Sequence, residues 1–108
     1  MKYFENMKYV LVISGLDPSG KAGLILDVNI IQSIGVWASG IPTALTVQNF
    51  KTASIYFCIE PKIISSQIKY LITSQSPSAF KIGMLPNATV AETVFECISK
   101  HKLNVVYD

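Results

Sequence analysis

The sequence predicts an α/β domain built on a mostly parallel sheet with helices packed over it. Short apolar, β-branched runs alternate with stretches of helical periodicity, the pattern of strand–helix–strand units. The first run, Tyr9-Val10-Leu11-Val12-Ile13, is apolar at every position, as a strand buried on both faces requires. Half of the 108 residues are hydrophobic and 15% are charged, which is too apolar for a disordered chain. At this length one core forms, burying roughly two-thirds of the unfolded chain's surface.

The elements follow in order. Tyr9 to Ile13 is the first strand, and Ser14 to Lys21 is a loop punctuated by Gly15, Pro18 and Gly20. A helix fits Ala22 to Ile34, with Leu24, Val28 and Ile31 on one stripe and Gly35 in the C-terminal capping place. Val36 to Val47 is extended in character but broken by Gly40 and Pro42. It reads as two short strands, or as a strand and a bend. Ile55 to Ile59 is a further strand candidate. Pro61 suits the first turn of a helix whose stripe is Ile64, Ile68, Leu71 and Ile72. Ser74 to Ser78 is a loop, and Ala79 to Gly83 is a short strand. Thr89-Val90-Ala91-Glu92 has the spacing of a capping box and opens a helix with Ala91, Val94, Phe95 and Ile98 on its apolar side. Lys100, His101 and Lys102 end it, where positive charge complements the helix dipole. Asn104 to Tyr107 is the last strand. No repeat, low-complexity segment or linker divides the chain.

Composition narrows the functional classes. A net charge of +2 with no basic stripe excludes a nucleic-acid binder driven by phosphate contacts. No apolar stretch reaches the ~18 residues of a membrane span, and the polar start has no signal-peptide core. The two cysteines, Cys58 and Cys97, lie far apart with no ligand-type neighbours, so a cytoplasmic protein with reduced, buried thiols is expected. Asn87-Ala88-Thr89 matches the glycosylation pattern, which has no meaning in that compartment.

The loop Gly15-Leu16-Asp17-Pro18-Ser19-Gly20-Lys21-Ala22 has Gly-x-x-x-x-Gly-Lys spacing between a strand and a helix, close to a P-loop. Ala22 stands where a P-loop needs a hydroxyl for magnesium. Val105-Val106-Tyr107-Asp108 has the matching form of an apolar strand ending in a metal-side Asp. A plain strand-to-helix turn and a glycine-rich approach to another small ligand remain the alternatives. Asp17 fits an Asx turn before Pro18 better than a catalytic carboxylate. His101 fits a solvated helix end.

Four ordered segments then resemble one family. Ser14-Gly15-Leu16-Asp17-Pro18-Ser19-Gly20-Lys21-Ala22-Gly23, with Asp27 following, is similar to the N-terminal signature of hydroxymethylpyrimidine/phosphomethylpyrimidine kinases. Thr43-Ala44-Leu45-Thr46-Val47-Gln48-Asn49, Lys81-Ile82-Gly83-Met84-Leu85 and Val105-Val106-Tyr107-Asp108 agree with later segments of that family. The resemblance runs from about Val10 to Asp108 and implies a ribokinase-like, three-layer fold. Residues 1–108 would be its N-terminal, substrate-binding half. It implies a pyrimidine pocket lined by Gly15, Ala22, Asp27, Gln48 and Met84, with Asp108 on the side of ATP and magnesium. No catalytic base and no metal ligand are assigned.

Lys21 replaces the family's usual Gly, Ile25-Leu26 its Gln-Ala, and Asn29 its Lys. The family's later Gly-Thr-Gly-Cys-type segment has no counterpart here, so a truncated piece without useful turnover is expected. An uncovered apolar sheet edge adds the expectation of a homo-oligomer. Phosphorylation of pyridoxal or pyridoxine, and a non-catalytic pyrimidine-binding remnant, are the alternatives to phosphorylation of an aminopyrimidine for thiamine biosynthesis.

Overall fold

The computed structural model of the chain describes residues 7–101 and 104–108, so Lys102 lies outside the described residues. The elements are β1 (Tyr9–Leu16), α1 (Gly23–Ser33), β2 (Trp37–Gln48), β3 (Ala53–Cys58), α2 (Pro61–Ser74), β4 (Ala79–Ile82), α3 (Ala88–Ile98) and β5 (Asn104–Tyr107). They form a five-stranded sheet in the order β3-β2-β1-β4-β5. β1 pairs in parallel with β2 and β4, and β4 with β5, while β3 folds back antiparallel onto β2.

Strand alternation sorts the side chains into two faces. Leu11 and Ile13 of β1, Ile41 of β2 and Phe80 and Ile82 of β4 pack with Ile64, Ile68, Val90, Val94 and Ile98 of α2 and α3. Each such buried side chain contributes roughly 1.5–3 kcal/mol, so this seam outweighs any single cap or turn. α1 covers the opposite face. Leu24 closes there on Gly40, where an added Cβ would sit 2.7 Å from its Cδ1. Three layers result, as the family resemblance implies. Tyr9 sits at the bottom edge of the core, its hydroxyl donating to the Gln75 carbonyl at 2.5 Å. Burial pushes its phenol upward.

Several sequence expectations are corrected. β1 runs on through Gly15 and Leu16, because these residues continue alongside β2 past a register shift between Ser14 and Leu16. β2 is one 12-residue strand rather than two. β3 pairs with it only from Ala44 onward, which leaves Pro42 beside an open edge where a missing N–H is tolerated. α3 is capped by Asn87, whose Oδ1 accepts from Val90 N at 2.8 Å, and not by the Thr89–Glu92 box. Thr89 already lies inside the first helical turn. Its buried stripe is Val90, Val94 and Ile98, and Phe95 instead stacks on Tyr107 at 5.7 Å. Cys58 is exposed, because every residue of β3 is exposed. His101 is half-buried with its ring edge-on to Phe80 at 6.3 Å.

Other expectations match: Pro61 opens α2, and Gly35 follows α1 with φ +88°. Among the described residues no helix is long and apolar enough to cross a membrane.

Candidate substrate site

Parallel strands place their carboxyl ends together, and the candidate residues gather there. Gly15 lies near the end of β1, Gln48 closes β2, Met84 follows β4 by two residues, and Asp108 follows β5 directly.

Met84 is held by its backbone. The buried Thr43 hydroxyl donates to the Met84 carbonyl at 2.6 Å, and the Met84 N–H donates to the buried Ser14 hydroxyl at 3.2 Å. Gly83 must be bare to allow this, since a Cβ there would lie 2.2 Å from Ser14 Oγ. The Met84 side chain then reaches over β1. Its Sδ is 2.8 Å from where a Gly15 Cβ would be, so any side chain at 15 would displace the thioether. Gly15 is therefore buried beneath the Met84 thioether, and the exposed Met84 side chain forms the surface there.

The neighbouring wall is polar. Thr46 donates to the Leu16 carbonyl at 2.9 Å, and the Gln48 amide donates to Thr46 Oγ1 at 2.6 Å. Gln48 is thereby tied through Thr46 to the end of β1.

The loop from β1 to α1 closes on itself. Asp17 is buried, and its Oδ1 accepts from both the N–H and the hydroxyl of Ser19 at 2.8 Å. Gly20 N–H donates to the Asp17 carbonyl at 3.0 Å. Burial pushes the Asp17 carboxyl up. The Ser19 hydroxyl, the Ser19 and Ala22 N–H groups and the Lys21 charge outweigh it and hold the carboxyl below its ordinary range. The expected Asx turn is therefore present. Asp17 also uses N–H groups that a P-loop would turn toward phosphate. Lys21 donates to the Phe50 carbonyl at the tip of the β2–β3 hairpin instead of curling over the loop. Gly23, at φ +65°, brings α1 so close that a Cβ would lie 2.4 Å from the Gly15 oxygen. Ala22 is the exposed, extended N-cap residue of α1.

Asp27 sits one turn into α1 and forms an ion pair with Lys81 of β4, Oδ2 to Nζ 2.6 Å. Asp108 Oδ2 lies 3.9 Å from the same ammonium. The site residues thus form two groups: Gly15, Met84 and Gln48 around the strand ends, and Asp27 and Asp108 around Lys81. Ser14, Thr43, Thr46 and Lys81 belong to the family-like segments, but sequence reasoning gave them no role. The signal was a polar or charged residue interrupting an apolar strand, as Lys81 does between Phe80 and Ile82. A separate groove of about 580 Å³, lined by Lys62, Lys69, Cys97, Lys100 and His101 among others, runs between α2 and α3 and contains none of the site residues.

A family model described as phosphomethylpyrimidine kinase matches residues 17–108. The chain belongs to that family. The hydroxymethylpyrimidine/phosphomethylpyrimidine kinase of Aquifex aeolicus is 33% identical over 96 residues, spanning 89% of this chain and 38% of that protein. The crystal structure of phosphomethylpyrimidine kinase from Clostridium difficile superposes with a TM-score of 0.89 at 31% identity, over 94% of this chain and 44% of that one. An ADP complex of Bacillus subtilis pyridoxal kinase gives 0.85 at 28% identity, over 95% and 41%. The chain therefore spans well under half the length of these relatives. The loop's own hydrogen bonds argue against the P-loop reading, since Asp17 takes its N–H groups and Lys21 turns to Phe50.

Proposed function

We propose that this chain supplies the substrate-binding half of an ATP-dependent kinase in thiamine biosynthesis. The kinase would phosphorylate the hydroxymethyl group of an aminopyrimidine and then the resulting monophosphate. One observation carries the reading: the exposed Met84 thioether seated on the buried Gly15, with the Gln48 amide at the end of the adjacent strand. A flat heteroaromatic ring suits that surface. Sulfur packs favourably on an aromatic ring. A side-chain amide offers a donor and an acceptor side by side, matching a ring nitrogen and its amino group. In this reading Ala22 leaves room at the loop, Asp27 borders the ring, and Asp108 lies toward the phosphoryl donor. The chain's own work is to bind the ring, orient the hydroxymethyl group and keep it there. The free thiols Cys58 and Cys97 suit a cytoplasmic setting.

ATP and magnesium belong to this proposal through the family. Among the described residues no three His, Cys, Asp or Glu side chains gather to hold a metal ion. Asp108 offers one exposed carboxylate. These residues alone do not fit a magnesium site.

The likeness to pyridoxal kinase keeps a second reading, pyridoxine as the ligand. Titration calorimetry of the chain with hydroxymethyl-aminopyrimidine and with pyridoxine separates the two. Pyrimidine binding is expected, weakened about tenfold by Gln48→Ala through loss of a hydrogen bond to the ring. Pyridoxine binding alone moves the second reading forward, and binding of neither overturns both.

A further inference from the structure

We propose that Lys81 is a positioning residue of this site: one ammonium fixes the Asp27 carboxylate on α1 and holds the Asp108 carboxylate at the end of β5. The inference deepens the proposed function and rests on it for the identity of the ligand.

The geometry is specific. Lys81 lies on the α1 face of β4, opposite Val12 of β1 and Val106 of β5 in the sheet register. Its side chain runs toward the strand's carboxyl end, where its Nζ lies 3.7 Å from the place a Gly83 Cβ would take. It therefore ends directly beside the Gly83–Met84 backbone that Ser14 and Thr43 clamp. Its side chain is 20% exposed and that of Asp27 is 16% exposed, whereas Asp108 is 84% exposed. Among the described residues these contacts, at 2.6 Å and 3.9 Å, form the ion-pair network of the molecule.

A largely buried ion pair is weak evidence for stability. Replacing such a pair with apolar side chains of similar volume is often neutral or stabilising. A sheet face lined by Val12, Leu24 and Ala38 would accept two apolar residues more easily than a lysine and an aspartate. The pair is explained instead by what it does at the strand ends. It keeps Asp27 turned toward β4, and it gives the exposed Asp108 a fixed cation to rest against. The end where the pyrimidine would bind and the end that faces the phosphoryl donor then share one charge. Moving Lys81 shifts both.

The test uses Lys81→Met, Lys81→Arg and the apolar pair Asp27→Leu/Lys81→Met in the full 108-residue chain. Two signals are read: the pyrimidine dissociation constant, and the ¹³C carboxyl resonance of Asp108, which a packing role alone would leave in place. Lys81→Met is expected to weaken pyrimidine binding about tenfold, as the loss of one well-placed hydrogen bond to the ring does, and to move the Asp108 resonance. Lys81→Arg is expected to retain binding and the resonance position. The apolar pair is expected to melt at or above the wild-type temperature while binding weakly. It supplies a folded variant if Lys81→Met does not fold. An Asp108 resonance and an affinity that both stay unchanged in a folded variant lacking Lys81 would overturn the proposal. If the unaltered chain binds no pyrimidine, the proposed function fails. The Asp108 resonance then decides by itself whether Lys81 positions that carboxylate.

Discussion

Asp17 is the residue whose chemistry most directly shapes the loop above the site. Its carboxylate accepts from Ser19 twice, and its carbonyl accepts from Gly20, so the turn is organised around one negative charge. These partners favour the ionised form and lower its pKa from the ordinary 3.8. The linkage has a definite sign. A carboxyl whose pKa is lower in the folded state adds stability that is fully present above the unfolded value and is lost as pH falls through the folded one. Asp17→Asn should therefore be less stable than the unaltered chain at neutral pH, and the gap should close as pH drops below 3.8. Urea unfolding across a pH series measures this. A gap that does not change with pH would show that the charge contributes nothing.

Among the elements, α3 gives the sharpest contrast between two caps. Asn87 and Thr89 both have side chains suited to an N-cap, and only the hydrogen bond to Val90 N tells them apart. Asn87→Ala should cost about 1 kcal/mol, the usual value of an N-cap. Thr89→Ala should stay within about 0.5 kcal/mol, as surface substitutions do. Denaturant midpoints of the two variants check this, and the reverse ranking would restore the capping box. The sequence made the larger pattern legible. Tyr9 to Ile13 had to be a doubly buried strand, Pro61 had to open a helix, and Gly35 had to end one. It left open features that depend on neighbours. Gly40 and Pro42 look like breaks along the chain, yet both pair with β1, and the register shifts only beyond Pro42. The helical period marked Phe95 as core. Its ring turned instead to Tyr107, a partner at the far end of the sheet.

For the molecule as a whole, both outer strands are exposed. All six residues of β3 and all four of β5 are solvent-accessible, and Ala53–Cys58 carries no charge or proline to discourage pairing. Such an edge is a template for another strand. Sedimentation at rising concentration should show association of this chain, and a constant monomer mass would count against it. The candidate site was readable as a set of segments, because four motifs fell at strand ends. Its internal wiring was not readable. Nothing along the chain joins Thr43 to Met84, 41 residues away, or Lys81 to Asp27, 54 away. Thr43 and Met84 meet because parallel strands end level with one another, and Lys81 meets Asp27 because α1 covers that face of the sheet.

The clamp on Met84 has a thermodynamic consequence. Its N–H and its carbonyl are both engaged by buried hydroxyls from two other strands. The backbone at the floor of the candidate site is therefore already tied down. Association usually loses free energy in freezing loops and side chains, and a floor fixed in advance avoids part of that loss. Under the proposed function, a small, flat molecule with few atoms to contribute would be gripped there with little reorganisation of the protein around it.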